Sequence, residues 1–208
     1  MPRASYSRRM PRPLIALDAD GVLLDFHLAY AEAWRRAFGE VPQERDAQAY
    51  WPIDRWQVEY LEGARLSHFG AHFDEQFWST VPAIDGAVEA CQRLCDAGFD
   101  LVCVSALEAR FEAARLANLR ALGFPIERVV ATGNAQGERS PKATAIDKLR
   151  PVAFVDDYLP YLRGIRADVH TALVLRAPNG SPNTGLELTT LPRSVHADLA
   201  AFTTAWLA

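Results

Sequence analysis

The stretch Leu17-Asp18-Ala19-Asp20-Gly21-Val22-Leu23-Leu24-Asp25 decides the reading of this chain. Two carboxylates, two residues apart, follow directly on the apolar run Leu14–Leu17, and a glycine comes next. The run is strand-sized, so Asp18 stands at a strand end. A carboxylate there needs a partner or a metal ion, because desolvating an unpaired charge is costly. Acids at strand ends also cap turns and helices, and the stretch taken alone leaves that alternative open.

Outward from this stretch, strand-like and helix-like segments alternate. Asp85 reads as an N-cap, followed by a helix that buries Ala87, Ala90, Cys91, Leu94 and Cys95 and stops at Gly98. Asp100–Val104 is the next strand. A helix carrying Phe111, Leu116 and Leu119 runs to about Gly123, and Arg128–Ala131 is a third strand. Ser140-Pro141 reads as the opening of a helix that continues through Leu149. Val152–Val155 and Thr171–Leu175 are further strands, Ala177–Gly185 is a loop, and a last helix is expected from Ser194 to Trp206. Strands alternating with helices predict an α/β fold, a Rossmann-like parallel sheet covered by helices on both faces.

The interruption lies at 26–82, where no clear strand occurs. Phe26, Tyr30, Trp34 and Phe38 recur at i+4 and end at Gly39, which makes one helical stripe. Trp51, Trp56, Tyr60, Phe69, Phe73, Phe77 and Trp78 follow. This predicts a small helical insertion after the first strand. The expected organisation is a flexible arm over 1–13, a core domain over 14–25 and 83–208, and the insertion over 26–82.

Composition bounds the function. The 208 residues suffice for one well-filled core with a small lobe. The net charge of −4 gives no general attraction to a nucleic acid polymer or an anionic membrane. No apolar run approaches the roughly 20 residues of a membrane span. Cys91, Cys95 and Cys103 are too few and too irregular for a disulfide framework, and they read as core. Met1–Pro13 carries Arg3, Arg8, Arg9 and Arg12 but no apolar centre, so it is not a secretory signal. A transit peptide, a flexible arm and a start at Met10 are the competing readings, and the expected compartment is cytoplasmic. Of 22 basic residues only Lys142 and Lys148 are lysines. His68-x-x-x-His72 lacks the glutamate of a metalloprotease motif and reads as packing.

Three further segments fall where a site at Asp18 and Asp20 requires them. Ser105 follows one strand, Lys142 opens a helix, and Asp156-Asp157 follows another strand. The C-terminal ends of parallel strands share one edge, and ligands bind in the crevice there. The ordered set Asp18–Gly21, Ser105, Lys142 and Asp156-Asp157 resembles the haloacid dehalogenase superfamily, specifically its phosphatase branch, from about Leu14 to Leu175. The insertion after Asp25 resembles that family's helical cap.

The resemblance implies a phosphomonoester hydrolase acting on a small phosphorylated metabolite, with a nucleotide among the candidates. Asp18 is then the nucleophile that forms an aspartyl-phosphate. Asp20 is the general acid and base. Ser105, Ala106 and Lys142 bind the phosphoryl oxygens. Mg²⁺ is the implied cofactor, held by Asp18, the carbonyl of Asp20 and Asp157, with Asp156 assisting. Asp25 is expected to play a structural part at the neck of the cap. Two alternatives stand beside this reading: a phosphomutase of the same family, and a catalytically idle protein that binds a metabolite.

Overall fold

A computed structural model describes residues 12–135 and 137–208. Six strands of the described residues form one sheet: β1 (Leu14–Leu17), β2 (Asp100–Ser105), β3 (Val129–Ala131), β4 (Ala153–Asp156), β5 (His170–Val174) and β6 (Ser194–His196). Their order is β3-β2-β1-β4-β5-β6, and every pairing is parallel. Among the described residues nine helices accompany them: α1 (Phe26–Phe38), α2 (Pro52–Arg55), α3 (Gly63–Gly70), α4 (Glu75–Ser79), α5 (Ala87–Asp96), α6 (Glu112–Ala121), α7 (Ala143–Leu149), α8 (Glu187–Thr190) and α9 (Leu199–Trp206). Single 3-10 turns occupy Ala109–Phe111 and Leu159–Leu162.

The sheet explains why the strands read as continuous apolar runs. Side chains alternate between faces, and here both faces are covered. Ile15, Leu17, Leu101, Cys103, Ala153 and Val155 enter one hydrophobic cluster, with Leu94, Leu119 and Phe202 of α5, α6 and α9. Ala16, Val102, Val104 and Phe154 enter the other, with Ile146 of α7 and Leu162. Trp34, Phe69 and Phe77 belong to the first cluster, so the helical stretch 26–82 shares its core with the sheet.

The ends of α1 match their sequence signals. Asp25 is its N-cap and accepts the Leu28 N–H at 3.1 Å, and Gly39 closes it at φ 78°. Elsewhere the expectations shift. Asp85 is not a cap: Ile84–Ala87 is a tight turn that puts Gly86 at φ 78°, and Gly86 takes the N-cap position of α5. Residues 140–142 form a turn in which Ser140 Oγ accepts the Lys142 N–H at 3.1 Å, so α7 opens at Ala143, not at Pro141. On α6 it is Arg115, not Leu116, that is fully buried in the stripe with Phe111 and Leu119.

The largest departure is at the C-terminal end. Ser194–His196 is a sixth strand rather than a helix start, paired through Leu173↔Val195. The helix begins five residues later, where Asp198 accepts the Ala201 N–H at 2.7 Å. β1 keeps its expected bounds, the remaining strand boundaries move by at most one residue, and Asp156 thereby becomes the last residue of β4, opposite Leu173. The arm over 1–13 lies outside the described residues except for Arg12 and Pro13. Pro13 already belongs to the sheet edge, its carbonyl accepting the Asp100 N–H at 2.9 Å. Among the described residues no helix is long and apolar enough to cross a membrane.

Candidate active site

β1 lies between β2 and β4, so its C-terminal end faces a crevice flanked by the ends of both neighbours. Asp18 is fixed there by its backbone, donating to the Val155 carbonyl at 2.9 Å. Its Oδ1 accepts the Ala19 N–H at 2.7 Å. The chain then folds back on itself, with Leu23 and Leu24 donating to the Ala19 carbonyl at 2.8 and 2.9 Å. Gly21 makes this turn at φ 89°, which L side chains rarely adopt. A Cβ there would also overlap the Asp157 carboxylate and come within 2.8 Å of Arg176 Nη2.

Lys142 reaches this strand end from the turn before α7. Its Nζ donates to Asp18 Oδ1 at 2.6 Å and to Asp156 Oδ2 at 2.7 Å, and it sits 4.6 Å from the centre of the Tyr161 ring. The side chain is fully buried. Burial opposes its charge, but the carboxylates of Asp156 and Asp18 outweigh that and push its pKa above the ordinary lysine value. Burial likewise raises Asp156, against the pull of Lys142. Asp157 is raised by burial to about 7, against the pull of Arg176, whose Nη2 donates to Asp157 Oδ2 at 3.3 Å.

Asp20 points elsewhere. Both its oxygens accept from Arg115 Nη2, at 2.8 and 2.9 Å. Its side chain keeps 27% of its surface exposed, yet it lies deep enough that burial raises its pKa, with Arg115 pulling the other way and Asp18 adding to the rise. Four carboxylates thus meet three cations: Lys142, Arg115 and Arg176.

A cavity of about 400 Å³ opens onto this centre. Asp18, Asp20, Ser105, Ala106 and Asp157 line it, whereas Lys142 and Asp156 do not: Lys142 contacts both Asp18 and Asp156. Two aromatic groups supply much of the wall. Tyr50, Trp51, Tyr158 and Tyr161 form one, with centroid separations of 4.9 Å for Tyr50–Trp51 and 4.8 Å for Tyr158–Tyr161. Phe26 and Trp78, 6.2 Å apart, form the other. Trp56 does not take part: it is buried and donates its indole N–H to the His27 carbonyl at 2.9 Å.

The sequence reading missed several lining or supporting residues. His27 donates from Nε2 to the Tyr50 carbonyl at 2.9 Å, which turns Nδ1 toward Arg55 and Arg176, each 3.4 Å away. Burial drives its pKa down to about 4, with the two arginines adding to the effect, so it is neutral at pH 7. Arg176 stands two residues past β5, on the same sheet edge as the other site residues, and that position was the available signal. Arg115 had one as well: it falls midway between Phe111 and Leu119 on the i+4 stripe of α6. Asp157 does not cap the turn after β4; Asp156 Oδ1 accepts the Tyr158 N–H instead, at 2.9 Å. His68 and His72 bond to the Ala37 and His68 carbonyls, in keeping with packing.

Comparison with known proteins agrees with this fold. The family model for haloacid dehalogenase-like hydrolases matches residues 13–160. A HAD family hydrolase from Deinococcus radiodurans R1, crystallised with bound phosphate and sodium, superposes with a TM-score of 0.63 at 18% identity, covering 94% of this chain and 95% of that one. An L-2-haloacid dehalogenase superposes at 0.59 and 18% identity, over 95% of this chain and all of the other. A haloacid dehalogenase-like hydrolase from Streptococcus pneumoniae gives 0.61 at 11% identity, over 95% and 99%. At these identities the superpositions speak for the fold alone. A search among curated proteins finds no match. With the family model spanning well over half of its length, the chain belongs to the haloacid dehalogenase-like hydrolases.

Proposed function

We propose that this hydrolase cleaves small phosphomonoesters with the help of Mg²⁺, using Asp18 as nucleophile. The observation that carries the reading is the set of carboxylates at one strand edge. Asp18, Asp156 and Asp157 each offer an oxygen within 4.8 Å of the others. An all-oxygen, acid-rich donor set fits a hard divalent cation, and Mg²⁺ suits a site with few carboxylates. Asp18, Asp157 and the carbonyl of Asp20 would hold it, with Asp156 behind them. Bound there, it would draw negative charge away from the nucleophile and from the phosphoryl oxygens.

The protein's own groups account for the rest. Lys142 and the Ala19 N–H hold Asp18 Oδ1, so attack falls to Oδ2. The O–P bond to Asp18 forms as the ester P–O bond breaks. Asp20, whose burial favours its protonated form, gives its proton to the leaving oxygen. Asp20, now a carboxylate, then takes a proton from water as that water attacks phosphorus, which releases inorganic phosphate and restores Asp18. Ser105 and Ala106 line the cavity where phosphoryl oxygens would lie, and Lys142 acts on them through Asp18.

The helical stretch 26–82 serves in this reading as the cap that selects the substrate. It contributes Phe26, Tyr50, Trp51 and Trp78 to the cavity, flat surfaces on which a base or another ring can stack. A nucleotide or a similarly flat phosphate ester is therefore the favoured substrate. The test is a panel of phosphorylated metabolites, with phosphate release measured with Mg²⁺ and with a chelator. Mg²⁺-dependent release, fastest for esters carrying a ring, is expected. Release from no ester in the panel, or release undiminished by the chelator, would refute the proposal.

A further inference from the structure

Arg115 occupies a position that an apolar residue would fill at less cost. It lies on α6 between Phe111 and Leu119, and its side chain is completely buried. Only Nη2 is engaged, on both oxygens of Asp20 at 2.8 and 2.9 Å. Nε and Nη1 are buried without a hydrogen-bond partner among the described residues. The guanidinium lies against the Trp78 ring, 5.0 Å from its centre. Burying a guanidinium with one nitrogen satisfied is unfavourable, and replacing such an ion pair by packed apolar groups is often neutral or stabilising. Stability alone therefore does not account for an arginine here.

The geometry points to a positional task. Asp20 and Trp78 both line the cavity, and Arg115 does not. It stands behind them and touches both. We infer that Arg115 is the positioning residue of Asp20: it fixes the position of that carboxylate and ties it to Trp78 of the helical insertion. The inference rests on the proposed phosphatase reading, in which Asp20 is the proton donor. Because one nitrogen takes both oxygens, the carboxylate cannot move away from Arg115 without losing both bonds. The ring of Trp78 in turn bounds the guanidinium, so the insertion that shapes the substrate cavity also bears on the orientation of the acid.

A structural tie and a positioning residue differ in one readout. Proton donation matters for a poor leaving group and little for a good one. Benzyl phosphate and 4-nitrophenyl phosphate are close in shape and differ in that respect. The quantity to compare is kcat/KM, which reports formation of the phosphoenzyme and is blind to its hydrolysis. With Mg²⁺ present, Arg115→Met is expected to lose about 30-fold or more on benzyl phosphate and less than about fivefold on 4-nitrophenyl phosphate, within the range that general acids contribute. Arg115→Lys keeps the charge but not the planar contact with Trp78, and should fall between Met and wild type on the benzyl ester. Melting curves accompany both variants, and if Arg115→Met fails to fold, the same ester-dependent loss in Arg115→Lys, about tenfold against twofold, carries the test. Equal losses on the two esters, or no loss on either, with wild type active, would overturn this inference and leave the phosphatase reading standing. Wild-type protein inactive on both esters, under conditions where no metabolite is turned over either, would overturn the two together.

Discussion

Lys142 is the residue whose setting is most confined. It is fully buried between Asp18 and Asp156, at 2.6 and 2.7 Å, under the Tyr161 ring. An arginine keeps the charge but brings a broad planar fork into a closed space. Lys142→Arg should therefore lose at least about tenfold in kcat/KM, about 1.4 kcal/mol of transition-state stabilisation. Lys148, the other lysine, is exposed on α7, and Lys148→Arg should leave the same kinetics unchanged. Steady-state assays of the pair side by side decide the matter. Asp157 gives a second expectation at this scale. Its pKa of about 7 in the folded protein lies above the ordinary carboxylate value, so the folded state holds its proton more tightly than the unfolded chain does. That preference costs nothing below about pH 4 and grows as pH rises toward 7, where the unfolded chain ionises and the folded one resists. In metal-free protein, Asp157→Asn should raise the melting temperature by about 3 °C or more at pH 8 and leave it unchanged at pH 4. It should also abolish the stabilisation that Mg²⁺ gives wild type at pH 8. Melting curves at both pH values, with and without the metal, test each part. His27 pulls stability the other way between about pH 4 and 6.5 because burial keeps it neutral, and comparing variant with wild type at each pH cancels its contribution.

Residue by residue, legibility in the sequence followed position along the chain. Asp18, Ser105, Asp156 and Asp157 announce themselves because each sits at or just past the end of an apolar strand. Arg176 obeys the same rule, but the Pro- and Gly-rich loop that follows it masks the signal. Arg115 is a different case. Nothing local distinguishes an arginine buried under a carboxylate from one on a solvated face, and only its i+4 relation to Phe111 and Leu119 hinted at burial. His27 is similar, since its partners Tyr50, Arg55 and Arg176 come from three separate segments.

Helices and strands were legible where a single pattern ran unopposed. α1 carried both its cap and its terminating glycine, and β1 and Leu101–Val104 of β2 were unbroken apolar runs. β6 was not legible, because Ser194–His196 is short, lies at the sheet edge, and has Val195 46% exposed, so it lacks an apolar signal. Asp198 marked the true start of α9. The stretch 26–82 could be called helical from its aromatic spacing, but which rings face the cavity depends on how its helices lie on the sheet. Trp51 lines the cavity and is 42% exposed, while Trp56 is 8% exposed and bonded to His27. Trp51→Ala should therefore change the relative rates among phosphorylated metabolites with little effect on the melting curve. Trp56→Ala should cost about 3–5 kcal/mol of stability and leave those ratios alone wherever the protein stays folded. Unaltered ratios in Trp51→Ala, by the same panel assay, would detach the helical stretch from substrate choice.

For the molecule as a whole, alternation of strands and helices was enough to name the parallel sheet, and the sheet in turn explains the site. Residues 18, 105, 142 and 156–157 are scattered over the sequence, yet strand order β3-β2-β1-β4 gathers three of the four segments at adjacent strand ends. The fourth, Lys142, arrives from the turn before α7 and binds two of them. Chemistry and fold meet at one group, the carboxylate of Asp18, and a direct chemical test addresses it. Wild-type protein is mixed with Mg²⁺ and a phosphorylated metabolite that it turns over, quenched in acid, reduced with borohydride and digested for peptide mass spectrometry. Borohydride converts an acyl phosphate, but not a free carboxylate, to an alcohol. The account predicts that conversion at Asp18 alone, and its disappearance together with phosphate release in a folded Asp18→Asn variant. Reduction at another carboxylate, or continued phosphate release from Asp18→Asn, would contradict it.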